Sequence, residues 1–157
     1  MEAIVGSRGA REAGFTLVEL MVVIVIGAIL MSIAIPSYQS QIRKSRRTDA
    51  KTALLDLSTR EERYFSLNNV YTNDPASLGY GANGFPWTVG NGYYTIAAPG
   101  ITDPKAQPPV VAAFTATATP ALTQVKDTQC QSFSIDSTGK QSALDSGGNN
   151  ATTACWN

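Results

Sequence analysis

The sequence predicts an α+β fold: a long N-terminal helix, membrane-spanning in its first half and amphipathic in its second, packed on a four-stranded antiparallel sheet. Three features predict it. An apolar run from Phe15 to Ile35 carries a single charge, Glu19. Beyond Pro36, apolar residues recur at helical spacing up to about Asn68. The remainder turns to short β-type runs separated by glycine, asparagine and proline.

The first run has 21 residues. As a helix it is ~31 Å long at ~1.5 Å per residue, which matches the ~30 Å hydrocarbon thickness of a bilayer. A carboxylate in lipid costs ~2.5 to 3.5 kcal/mol at a helix centre and less towards its end, so Glu19 calls for a partner. An ordinary secretory signal has an apolar region of only ~7 to 15 residues. A plain single-pass anchor fits the length but requires neither Glu19 nor Gly14-Phe15.

With 157 residues, 43% of them hydrophobic, the chain has room for one modest domain beyond the membrane helix. Lysine and arginine number 12 against 12 acidic residues, which leaves no overall basic field for nucleic acid. The charges are unevenly spread: seven basic and four acidic residues lie in Ser37 to Asn68, three lysines and five aspartates in Asn69 to Asn157. Attraction to DNA would therefore have to come from local arrangement. Histidine is absent, which excludes a thiolate-histidine pair and a histidine-containing metal site. Two cysteines alone make a poor zinc site, since structural zinc usually takes four ligands. No nucleophile-and-base constellation is visible. The reading is of no catalytic residue, no cofactor and no enzyme. Cys130 and Cys155 read best as a disulfide in an oxidising compartment, contributing ~3.5 kcal/mol in the chain-entropy model. Two buried free thiols are the alternative.

Gly14-Phe15-Thr16-Leu17-Val18-Glu19-Leu20, opening an apolar helix, resembles the processing and assembly signal of type IV pilins. The resemblance implies cleavage after Gly14 by a prepilin peptidase and N-methylation of Phe15. It also implies that Glu19 pairs with the N-terminal ammonium of a neighbouring subunit's Phe15 as subunits leave the bilayer, both charges being desolvated and mutually compensated. The partners implied are other pilin subunits, the prepilin peptidase, the inner-membrane assembly machinery and, before assembly, membrane lipid.

Four segments follow: a leader over 1–14, a transmembrane and assembly helix over 15–36, its amphipathic continuation over 37–69, and a globular domain with a C-terminal disulfide loop over 70–157. The leader carries Arg8 and Arg11 but also Glu2 and Glu12, and is less basic than those of common type IVa pilins. Arg43, Lys44, Arg46 and Arg47 lie just beyond the span, so the positive-inside rule alone hesitates over orientation. The cysteines decide it: a cytoplasmic leader and an outer domain on the oxidising side.

Gly27 and Pro36 bound the weakest part of the helix, because glycine is conformationally free and proline removes a helical donor. In pili of this family the equivalent region is commonly stretched out of helical form. A proline kink in a continuous helix is the alternative for the single subunit. Downstream, Ile42, Ala50, Ala53, Leu54, Leu57 and Tyr64 fall near one face. Arg46, Arg47, Asp49, Lys51, Asp56 and Glu62 are placed on the remaining surface, with Asp56 and Arg60 an i,i+4 pair. The helix ends near Asn68-Asn69, before Asn73-Asp74-Pro75.

Glu61-Glu62-Arg63-Tyr64-Phe65 followed by Val70-Tyr71 resembles the corresponding place in pilins, especially E-type minor pilins, and its bland reading is core packing of Tyr64, Phe65 and Tyr71. Thr72 to Gly92 reads as a packed loop carrying Tyr80, Phe85 and Trp87. Strands are expected over Tyr93 to Ala97, Val110 to Thr117, Gln131 to Ile135 and Lys140 to Leu144. Ala98 to Pro109, with four prolines, cannot be sheet interior. Asp145, Asn149 and Asn150 lie in a polar loop and lack a full calcium ligand set, so no metal is assigned.

The resemblance thus implies a structural subunit of a type IV pilus, located in the bacterial inner membrane before assembly and in an extracellular pilus afterwards. A DNA-capturing minor pilin and a type II secretion pseudopilin are the alternatives. Major members of the pseudopilin class typically hold calcium in place of the disulfide.

Overall fold

The computed structural model describes residues 14–81, 84–103, 105 and 111–157. The leader up to Ala13, and Val110 with most of the proline-rich stretch before it, lie outside the described residues. Two compact units are present, one ending at Gln39 and the other comprising Ser40–Asn157. The helix α1 (Leu17–Asn68) contributes to both.

In the first unit, every described residue from Gly14 to Gln39 except Gly27 is exposed. The helix is long and apolar enough to cross a membrane. It runs unbroken through Gly27 and Pro36.

In the second unit, Ala50, Leu54 and Leu57 of α1 are fully buried with the inward residues of the sheet. The helix stops where Asn69 takes a left-handed φ of 57° and donates its N–H to the Phe65 carbonyl at 2.8 Å. Asparagine tolerates that conformation, which is why the turn falls here.

The sheet has six strands rather than four: β1 (Trp87–Val89), β2 (Tyr94–Ile96), β3 (Gly100–Thr102), β4 (Ala113–Pro120), β5 (Ser132–Asp136) and β6 (Gln141–Leu144). All pairings are antiparallel, in the order β1-β2-β4-β5-β6, with β3 also on β4. The four expected strands are present, β4 ending three residues later than Thr117. The two unexpected ones have three residues each. Ala118 pairs with both Ile96 and Phe133, and Thr115 with both Gly100 and Asp136. Hence β2 and β3 follow one another along the edge of β4 opposite β5. From Ile96 to Gly100 the chain advances four residues while β4 advances three, from Ala118 to Thr115. The extra residue is a bulge, and Pro99, which cannot donate to a ladder, sits within it. Alternation on β4 buries Phe114, Ala116 and Ala118; on β5 it buries Phe133 and Ile135.

Candidate functional site

Gly14, Phe15 and Thr16 precede α1. The Thr16 hydroxyl accepts the Glu19 N–H at 3.2 Å and its carbonyl accepts the Leu20 N–H at 3.1 Å, so Thr16 caps the helix. Glu19 is then the third helical residue, the position glutamate holds in a capping box, where the positive end of the helix dipole favours a carboxylate. This local role went unread in the sequence, although Thr-x-x-Glu before an apolar run is its signature. Among the described residues no cation is within ion-pair distance of Glu19. Phe15 is 81% exposed. A Cβ added at Gly14 would meet nothing within 4 Å, and its φ is not left-handed, so the fold itself makes no demand for glycine there. The same space surrounds Gly27.

At the base of the second unit, Arg47 is buried and not, as its charge suggested, on the surface. The stripe Arg47, Ala50, Leu54, Leu57, Glu61 follows the three-and-four spacing of one helical face, and extending Ala50-Leu54-Leu57 in both directions would have found both charged members. Arg47 Nε and Nη2 donate to Asp127 Oδ2 and Oδ1 at 2.7 and 2.6 Å. Gln124 Nε2 donates to Asp127 Oδ2, to the Tyr94 hydroxyl and to the Arg43 carbonyl. The network ties α1 to the turn Leu122–Lys126 that leads towards Cys130. Arg46 stacks on Tyr93, 3.4 Å from the ring centroid, and donates to Thr123.

At the other end, Glu61 Oε2 accepts the Thr72 N–H at 3.1 Å and Glu62 Oε1 accepts the Tyr71 hydroxyl at 2.9 Å. Glu61 Oε1 is buried without a hydrogen-bond partner. Burial pushes the Glu61 carboxyl up to about 7, with the Thr72 N–H opposing and Glu62 adding to the rise. Phe65 stacks on Tyr71, which meets Phe114 edge-on, so the Glu61 to Phe65 motif fastens the chain leaving α1 onto the sheet. Tyr64 and Phe65 pack half-buried against the core, and Tyr71 is buried. The Asp56–Arg60 pair forms at 2.9 Å, and Arg60 also lies over Tyr80, whose neighbour Trp87 stacks on Phe85.

Cys130 and Cys155 are joined by a disulfide, their Cα atoms 5.9 Å apart. Trp156 Nε1 donates to the Ser142 carbonyl and its ring meets Phe133 edge-on, fastening the C-terminal helix α2 (Thr152–Trp156) to the sheet. Asp145 is occupied with its own turn, accepting the N–H groups of Gly147 and Asn149. Hydrogen bonds from Asn149 and Gly147 hold its carboxyl below the usual aspartate range.

Two family models match the chain. The prokaryotic N-terminal methylation motif covers residues 9–35, and the model for the type IV minor pilin ComP, DNA uptake sequence receptor, covers residues 36–134. The methylation signal, the apolar helix and the α+β domain behind it define the class of type IV pilins, whose members are structural subunits and not enzymes. Within that class the chain belongs to the ComP minor pilin family, whose model spans more than half of it.

Among curated relatives, the type IV major pilin protein PilA of Myxococcus xanthus is 39% identical over 70 residues, 45% of this chain and 32% of that protein. Fimbrial protein EcpC of Eikenella corrodens is 37% identical over 71 residues, 45% of this chain and 46% of that protein. Type II secretion system core protein G of Pectobacterium carotovorum is 36% identical over 73 residues, 46% of this chain and 47% of that protein. The chain thus spans about half or less of the length of these relatives.

Proposed function

We propose that this chain is a minor subunit of a type IV pilus, of the E type within the type IVa class. A prepilin peptidase cuts after Gly14, Phe15 becomes the methylated N-terminus, and α1 carries the subunit from the inner membrane into the filament. The observation that supports this best is the first half of α1, whose apolar residues are exposed all round among the described residues. Such a surface is stable in lipid or against other apolar helices. Segments 1–14, 15–36, 37–69 and 70–157 serve as leader, span, amphipathic continuation and outer domain, with the leader cytoplasmic and the Cys130–Cys155 domain on the oxidising side. Gly27 and Pro36 mark the section that unwinds on assembly. Glu19, held in the first turn, pairs with the Phe15 ammonium of the next subunit and sets the register with the help of the assembly machinery.

Quantitative mass spectrometry of sheared, purified filaments tests this. The expected result is a trace component beginning at N-methylated Phe15. A dominant component would make it the major subunit. Absence from filaments, with a secreted enzyme retained in the periplasm of a deletion strain, would favour a secretion pseudopilin. Glu19→Val is expected to insert and be cleaved normally yet fail to enter filaments, and its normal incorporation would refute the charge pairing. Phe15→Ala should still be cleaved and Gly14→Arg should not.

A second reading, DNA capture, is favoured by the family match over residues 36–134, whose description names a DNA uptake sequence receptor. The outer domain offers Lys105, Lys126 and Lys140 for phosphate contacts. A mobility shift of a labelled duplex that weakens steeply with salt is the expected result under this reading; a salt-insensitive shift, or none, refutes it.

A further inference from the structure

Four basic residues follow the apolar span closely: Arg43, Lys44, Arg46 and Arg47. On the outer side of a membrane such residues oppose the usual topology bias, so each needs a reason to be there. The fold explains two of them. Arg47 is consumed by Asp127, and Arg46 by Tyr93 and Thr123. Arg43 and Lys44 make no ion pair with any described carboxylate. Instead their side chains line a surface cleft of about 410 Å³ together with Lys126, Thr128 and Gln129. The one carboxylate among the lining residues, Asp127, is buried and neutralised by the bidentate Arg47. Three cations therefore face a space with no compensating anion among the described residues. Thr128 and Gln129 complete the lining, the Gln129 Oε1 accepting from Arg47 at 3.2 Å. A guanidinium and two ammonium side chains lining one cleft suit a phosphate oxyanion.

We propose that the cleft of Arg43, Lys44 and Lys126 seats the phosphate of an anionic phospholipid while the chain resides in the membrane. The proposal rests on the membrane insertion proposed above. Arg43 follows Ile35 by eight residues, ~12 Å of helix. The headgroup layer is ~5 to 7 Å deep on each side of the hydrocarbon, and long basic side chains reach back towards it along their apolar stems. Arg43 and Lys44, on the helix they share with the span, thus come within side-chain reach of lipid phosphates, where a basic residue near an anionic surface gains about fivefold in binding. Held this way, the cleft keeps its lipid until the subunit is extracted.

The test uses the full chain reconstituted into vesicles of phosphatidylcholine alone and of phosphatidylcholine mixed equally with phosphatidylglycerol. Flotation reads insertion, and the lipid that co-purifies in neutral detergent reads the site. The expected result is flotation with both vesicles and, from the mixture, an enrichment of phosphatidylglycerol over phosphatidylcholine of at least about fivefold. The enrichment should be lost in high salt and in the variant Arg43→Gln/Lys44→Gln/Lys126→Gln, which leaves the buried Arg47–Asp127 pair untouched. Flotation with neither vesicle overturns both this inference and the insertion it rests on. Flotation with both and an equal lipid ratio, or an enrichment that survives the triple substitution, overturns this inference alone. Stabilisation of the lipid-free chain by inorganic phosphate would make the cleft a soluble-anion site. Displacement of phosphatidylglycerol by duplex DNA would make it a nucleic-acid site. Either result overturns the lipid assignment.

Discussion

Both halves of α1 are helical, but they hold their side chains against different surroundings. In the first half, leucine, isoleucine and valine point in every direction and all are exposed. In the second, one stripe from Arg47 to Glu61 is buried and the flanks are wet. A helix that is apolar all round depends on its environment for cover, whereas an amphipathic one is held by the domain it packs against. The comparison also shows what a stripe tolerates: two of its five members are charged, and each is accepted because the domain supplies polar partners, Asp127 for Arg47 and the Thr72 N–H for Glu61.

The largest effect is expected at the buried ion pair. Arg47→Ala leaves Asp127 buried with only Gln124 as a side-chain partner and should destabilise the second unit by ~3 to 5 kcal/mol. Lys44→Ala, three residues earlier at an exposed position, should change stability by less than ~0.5 kcal/mol. Chemical denaturation of the full chain in neutral detergent measures both, and equal losses would mean that the stripe is not what holds this half of α1.

An apolar pair sharpens the contrast. Leu54→Ala removes a fully buried side chain and should cost ~2 to 5 kcal/mol in the same assay. Ile24→Ala, at a position 61% exposed, should fall within ~0.5 kcal/mol of wild type while impairing filament incorporation. A large stability loss at Ile24 in the isolated subunit would break the distinction between the halves.

The effect at Glu61 depends on pH and is small within any one pH unit. Its carboxyl has an ordinary value of 4.5 and is pushed up to about 7 in the folded chain. The folded state therefore holds the proton more tightly than the unfolded one. The resulting stability is fully present below pH 4.5 and is lost as the pH rises to 7. The slope in that window should be at most ~1.4 kcal/mol per pH unit. Glu61→Gln keeps an acceptor for the Thr72 N–H and should flatten this slope, leaving the variant more stable than wild type at pH 8. Denaturation midpoints measured across the window decide the matter, and an unchanged slope would show that Glu61 titrates normally.

How much of this was legible varies with the range of the forces involved. The span, the end of α1 at Asn69 and the core positions Ala50, Leu54 and Leu57 could be read because each depends on neighbours three or four residues away. The strands β1 and β3 could not, because three residues carry no recognisable period and one of them lies in a proline-rich stretch. Arg47 was misplaced because its charge was weighed above its register, and its partner Asp127 is 80 positions away. The capping role of Thr16 is equally local, since Thr-x-x-Glu spans a single turn.

By itself, then, the sequence determined a lipid-length helix led by Gly14, Phe15 and Glu19, an α+β class, and a chain poor in catalytic groups, since composition and local periodicity suffice for these. Only the tertiary structure decided that six strands form the sheet, that Arg47 and Glu61 go inside, and that Arg43, Lys44 and Lys126 meet at one cleft. The physical reason is that burial and charge clustering are set by which distant segments touch, and short strands take their register from the partners that they hydrogen-bond.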